Sequence, residues 1–253
     1  SYRFSEPNGM SVIYAHGYTV TKFNADSTPY VESQYPLELS NLSDKLAPIF
    51  GDDTLTVNLK GELTGSYENL DEKYGAASLS EMFVEDQILF HFVTTGGAAE
   101  LREEEVTFGI LPLPKGSSSQ ENYISYAEPW IAFHAFVPRV TKDENVTDVM
   151  LEAMAALGQK NIKPVYYDNI LKSRSTYDYE SQDMIDIIFE TKIYDLLDIL
   201  SVGGGNNGDS PLVNALKTAI VSDSSGLASK YKMQARIVNL NIGKILDDID
   251  RNR

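Results

Sequence analysis

The sequence predicts an α/β fold with a largely helical second half. Up to Pro138, apolar and β-branched runs alternate with stretches of helical period, which is the signature of mixed layers. Beyond Pro138, Leu, Ile and Met recur at three- and four-residue steps. Such amphipathic helices need a surface to bury against, and the earlier strands would supply it.

In chain order, residues 1–36 read as short β segments. Val12-Ile13-Tyr14 and Tyr18 to Phe23 are rich in β-branched and aromatic residues, with Gly9, Gly17 and Asn24-Ala25-Asp26 as turns. A helix is expected over 37–50, with Leu39, Leu42, Leu46 and Ile49 on one face and Ser40 or Ser43 as its cap. Residues 51–77 are polar and Gly-rich. Ser78, with Glu81 three residues on, has capping-box spacing before a helix over 79–84.

Ile88 to Val93 is a continuous apolar run, which predicts a strand buried on both faces. A short helix over 98–105 follows, then a second buried strand over 106–113, stopped by Pro112 and Pro114. Lys115-Gly116-Ser117-Ser118-Ser119 reads as a loop, and Trp130 to Val137 as a third apolar strand. Thr147 is expected to cap a helix running to Leu157, with Val149, Met150, Ala153, Met154 and Leu157 aligned. Helices are also expected over 166–172, over 178–200 as one or two pieces, and over 211–221. A last helix over 227–250 would carry Ile237, Leu240, Ile245 and Ile249 as its apolar stripe. Gly203 to Gly208 is a loop.

Charge narrows the partners. The 253 residues carry 21 Lys and Arg against 37 Asp and Glu, a net charge of −16, with no cluster of cations of the kind that binding nucleic acid requires. Nucleic acid and anionic membrane surfaces are thereby disfavoured as partners. The chain holds no cysteine, so disulfides, thiol nucleophiles and Cys-based zinc sites are excluded. No apolar run reaches the length of a membrane span.

Catalytic and metal-binding motifs are missing. No His-Glu-x-x-His, nucleophile elbow, phosphate-binding loop or EF-hand pattern occurs, so no cofactor and no metal is expected. Of the histidines His16, His91 and His134, the last two lie in apolar runs and read as satisfied core residues. The acid pairs, such as Asp52-Asp53 and Asp247-Asp248, read as solvated faces. A carboxylate-based glycoside-active enzyme remains an alternative, because two facing carboxylates cannot be recognised from a list of acids. Tyr123, Tyr126 and Trp130 gather where the Ser-rich loop leads into a strand. Their rings are suited to stacking on the C–H faces of a sugar. Trp130 is equally suited to anchoring a core.

Phe108-Gly109-Ile110-Leu111-Pro112-Leu113-Pro114-Lys115, followed by Gln120 and Tyr123, resembles the extracellular solute-binding proteins of carbohydrate-type ABC importers. Val137-Pro138, Pro164-Val165-Tyr166-Tyr167-Asp168 with Leu171-Lys172, and Asp178 with Glu180-Ser181 and Met184 to Ile188 follow in that family's order. The resemblance covers about 80–250 and is looser over 1–80. It implies a type II periplasmic-binding-protein fold, in which two lobes close on a ligand by a hinge. It assigns 1–105 to the C-terminal lobe, 106–163 to a hinge strand with a contribution to the N-terminal lobe, and 164–253 to a helical return to the C-terminal lobe.

The resemblance further implies a non-enzymatic, monomeric binding module. It would take a sugar or oligosaccharide and deliver it to membrane permease subunits. The expected ligand contacts are Tyr123, Tyr126, Trp130 and the turn Thr94, Thr95, Gly96 and Gly97. The family's chain opens with most of the N-terminal lobe behind a lipid-modified Cys at the cell surface. This sequence shows neither, so it is expected to be the later part of a longer protein. Maltose-type members also place an aromatic after the strand that ends near Thr94, where this sequence has Thr-Thr-Gly-Gly. A surface sensor or interaction protein reusing the fold is the other alternative.

Overall fold

A computed structural model describes residues 3–5, 8–52, 54–57, 70, 74–127, 135, 137–138, 143–166, 179–199, 211–220 and 226–251. The architecture is mixed α/β and dominated by helix, and its sheets are small. The chain divides into two compact units, one of Ser1–Phe92, Pro112–Ile131 and Asp186–Arg253, the other of Val93–Leu111 and Ala132–Ile185.

In the first unit, helix α1 (Gly9–Ala15) occupies the place where a strand is expected at Val12-Ile13-Tyr14. Two effects outweigh the β preference of that run. The Asn8 side chain accepts hydrogen bonds from the Met10 and Ser11 amides at 3.0 and 3.1 Å, capping the helix. The helix is also apolar around its circumference, and Met10, Val12, Ile13, Tyr14 and Ala15 are all buried, so burial rather than propensity decides its form. Of the expected strand from Tyr18 to Phe23, only β2 (Lys22–Phe23) forms, antiparallel to β3 (Pro29–Tyr30).

Helix α2 (Leu37–Phe50) forms as expected, but Pro36 stands at its cap with no side-chain bond. Ser43 is buried inside it, its hydroxyl donating to the Leu39 carbonyl at 2.9 Å. Helix α3 (Leu79–Val84) has the expected cap: Ser78 Oγ accepts from the Glu81 amide at 3.1 Å, and the Glu81 carboxylate reaches back to the Ala77 amide. Strands β1 (Phe4–Ser5) and β4 (Thr56–Val57) pair in parallel, as do β5 (Ser125–Tyr126) and β6 (Lys192–Ile193).

The doubly buried strand expected over 88–93 is replaced by an extended segment joined through one bridge, Phe4 to Phe90. Ile88 is buried, but Leu89, Phe90 and Val93 are exposed. Phe4 instead stacks on Phe90 and Phe92 along this edge.

The unit's main core joins α1 and α2 to α8 (Pro211–Ala219) and α9 (Leu227–Arg251), with Leu197 of the short helix α7 (Leu196–Ile199). Gly9 lets α1 approach α8, since a Cβ there would lie 2.7 Å from the Lys217 Cα. On α9 the buried stripe is Leu227, Tyr231, Ala235, Val238 and Ile242. Of the four residues expected there, only Ile245 packs on the core, while Ile237, Leu240 and Ile249 face solvent. The helix carries apolar residues on two faces, and residues 226–246 alone do not say which one is buried. A smaller cluster gathers Val57, Leu70, Ala76, Met82 and Ile88.

The second unit contains α4 (Thr95–Glu100) with a 3-10 turn (Leu101–Glu103), and α5 (Glu144–Leu157) continued by a π turn (Gly158–Ile162). Helix α6 (Tyr179–Glu190) belongs to this unit up to Ile185. Residues 106–111 are irregular rather than a strand, with Leu111 68% exposed. The Ile110 amide donates to Ser181 Oγ in place of a ladder partner.

Asp143, not Thr147, caps α5, accepting from the Val146 amide at 3.1 Å, while the Thr147 hydroxyl donates to the Asp143 carbonyl. The aligned face Val149, Met150, Ala153, Met154 and Leu157 exists as predicted but is exposed, Val149 at 68% and Met154 at 65%. The expected helix over 178–200 is two, α6 and α7, with β6 between them. The loop over 203–208, and most of the strand over 130–137 and of the helix over 166–172, lie outside the described residues.

Candidate functional site

The segment 112–127 carries the two described aromatics of the expected sugar site. It is pinned to the end of α1. Gln120 Nε2 donates to the carbonyls of Ala15 and Asn122, each at 2.9 Å, and its Oε1 accepts from the Gly116 amide at 2.9 Å. Gly116 is needed there, because a Cβ would stand 2.9 Å from the His16 carbonyl oxygen.

From that anchor the two tyrosines go separate ways. Tyr123 is partly exposed, with Lys115 Nζ 5.0 Å from its ring centre. Tyr126 lies in β5, its ring stacked on Tyr14 at 4.7 Å and an interplanar angle of 6°, packed against the main core. Tyr126 is thus partly buried with one ring face taken by Tyr14, whereas Tyr123 meets the Lys115 side chain. Trp130 lies outside the described residues.

The Thr94, Thr95, Gly96 and Gly97 stretch belongs to the second unit, where it forms the start of a helix rather than a turn. Thr94 Oγ1 is used as the cap of α4, accepting from the Gly97 amide at 3.1 Å. A Cβ at Gly97 would meet Val93 Cγ2 at 2.5 Å.

A buried polar cluster centres on Asp195, a residue that no motif or period in the sequence singles out. Asp195, 5% exposed, accepts hydrogen bonds from the Tyr14 hydroxyl, the Thr21 hydroxyl (2.5 Å), the Thr21 amide (3.0 Å) and the Leu197 amide (2.9 Å). Its partners Tyr14 and Thr21 are far away in sequence, so no local signal marks it. It ties α1, the segment after it and α7 together, and the geometry is that of a structural node.

His91 sits between two serines, Nδ1 3.1 Å from Ser5 Oγ and Nε2 3.2 Å from Ser80 Oγ, as expected for a satisfied histidine. Burial lowers its pKa below the usual 6.5, and burial likewise lowers that of His16. The neutral ring is the form the fold favours, so its contribution to stability is complete above about pH 6.5 and is lost as pH falls below that value. Urea midpoints are expected to fall between about pH 7 and pH 5, and His91→Gln to flatten part of that slope.

A further concavity of about 370 Å³ opens in the first unit between Ser33 and Gln34 on one side and Lys232, Arg236, Asn239 and Leu240 of α9 on the other. Its walls are fastened together. Asn239 accepts from the Val31 amide and donates to the Val31 carbonyl, both at 2.8 Å. Lys232 and Arg236 fall within residues 226–246, a stretch that holds four cations and no acid.

Among the described residues no group of three or more His, Asp or Glu side chains is arranged to hold a metal ion. No described helix is long and apolar enough to cross a membrane. No protein-family model, no curated protein and no solved structure matches the chain.

Proposed function

We propose that the chain is the ligand-binding part of an extracellular substrate-binding component of an ABC importer, taking a sugar or oligosaccharide and handing it to membrane permease subunits. The observation that carries this reading is the ordered run of sequence pieces from Phe108–Lys115 to Met184–Ile188. The pieces lie in a chain that passes repeatedly between two compact units, once within the Phe108–Lys115 stretch.

A periplasmic-binding-protein fold would use those passages as its hinge. The uncovered face of α5 also suits the reading. An amphipathic helix belongs against another surface, and here that surface would be further chain of the same lobe. Ligand would act by favouring the closed arrangement, through its greater affinity for that state. A cell-surface, lipid-anchored location of the parent protein belongs to the same proposal.

Calorimetric titration with a panel of mono- and oligosaccharides, amino acids and short peptides tests this. Saturable binding of a sugar is expected. Tyr123→Ala should weaken it up to about tenfold, the scale of one lost aromatic contact. A response confined to amino acids or peptides would remove the carbohydrate assignment, and silence across the panel would remove the binding module.

A further inference from the structure

We infer that the groove between Ser33-Gln34 and α9 is a second site, for an anion of monosaccharide size bearing a phosphate or carboxylate group. It stands apart from the sugar reading above, because neither Tyr123 nor Thr94–Gly97 lines it.

Charge is the first support. Residues 226–246 contain Lys230, Lys232, Arg236 and Lys244 and no acid, in a chain where acids outnumber bases by 37 to 21. Lys232 and Arg236 fall four residues apart on one face and both line the groove. Among the described residues neither meets a carboxylate within ion-pair distance. The nearest acid in sequence on the opposite wall, Glu32, accepts from the Tyr18 hydroxyl at 3.1 Å.

Helix stability does not account for this arrangement. Like charges four apart weaken a helix. The helix dipole favours acids in the first turn, whereas α9 has Lys230 and no acid there; in its last turn Arg251 stands beside Asp248 and Asp250. A bound anion would relieve the repulsion between Lys232 and Arg236.

Preorganisation is the second support. The two Asn239 bonds hold the Val31 backbone to α9, so the loop wall keeps its distance from the cations before any ligand arrives. Arg236 offers a planar fork to a phosphate or carboxylate, Lys232 a point charge, and Ser33 and Gln34 polar side chains for hydroxyls. The exposed Leu240 supplies an apolar flank. A volume of about 370 Å³ is at the small end of ligand sites, which suits a hexose-sized molecule.

The test is site-resolved NMR titration of the chain with glucose 6-phosphate and glucuronate, using glucose as the neutral control. Expected are saturable amide shifts at residues 33–34 and 232–240 with both anions and none there with glucose. The affinity should fall by about tenfold or more in Lys232→Gln/Arg236→Gln, and severalfold between about 50 and 300 mM NaCl. Both side chains are exposed, and an unchanged melting curve would show that the variant folds. The absence of saturable shifts, or equal affinity in the double variant, would overturn the site. Tighter binding of an oligoglutamate peptide than of glucose 6-phosphate would overturn the small-ligand assignment.

Discussion

Asp195→Ala is expected to cost about 3–5 kcal/mol of folding stability, measured by urea denaturation, because it strands several buried donors at once. The Tyr14 and Thr21 hydroxyls and the amides of Thr21 and Leu197 all converge on this one carboxylate. None of them has water as a ready substitute, since Asp195 and Tyr14 are both buried. Asp195→Asn should cost less, retaining one carbonyl acceptor while turning an NH₂ toward groups that are themselves donors. Tyr14→Phe should cost least, removing one donor to Asp195 and the long 3.4 Å bond from the Val20 amide while leaving the other bonds to Asp195 in place. A loss below about 1 kcal/mol in Asp195→Ala would show that the cluster is not a structural node.

Tyr231 gives the second large effect, with contrasting outcomes for two substitutions. Its side chain is fully buried in the main core, edge-on to Tyr35 at 5.4 Å. Tyr231→Ala is expected to lose about 3–5 kcal/mol through the cavity it leaves. The hydroxyl, by contrast, meets no partner in full hydrogen-bond geometry among the described residues and interacts only weakly with the Tyr18 side chain. Burial comes first in raising its pKa to about 12, and burial raises that of neighbouring Tyr18 as well. Tyr231→Phe is therefore expected to change stability by less than about 1 kcal/mol, since it gives up no more than a poorly aligned contact with Tyr18. A loss of more than about 1 kcal/mol in Tyr231→Phe would mean that the hydroxyl is bonded in solution.

What could be read from the sequence followed the range of the forces involved. Helices α2, α3 and α8 were legible because their signals are local: period, the Ser78–Glu81 cap, and the alignment of Leu212, Leu216 and Ile220. Helix α1 was not, because Val12-Ile13-Tyr14 has β character and only its cap and its surroundings make it helical. The runs 88–93 and 106–113 are apolar, but apolarity does not show what will cover a segment, and much of each faces solvent. For the site, the Thr94–Gly97 stretch reads as a turn from its composition, and the structure makes it a helix start. Tyr126 was grouped with Tyr123 by proximity, yet its ring is taken up by Tyr14, more than a hundred residues earlier. Asp195 and the Asn239–Val31 pair depend on partners of comparable separation.

That separation also governs the time course of folding. The core that buries α1 takes Val31, Leu39 and Leu42 from nearby and is completed by α8 and α9, so part of residues 9–20 stays uncovered until residues 212–242 have been made and docked. Contacts so distant along the chain are slow to form, because a long loop must close before any apolar surface is gained. During synthesis the apolar, β-branched run of α1 thus emerges early and waits, in an interval when a strand-prone segment is open to pairing with other chains.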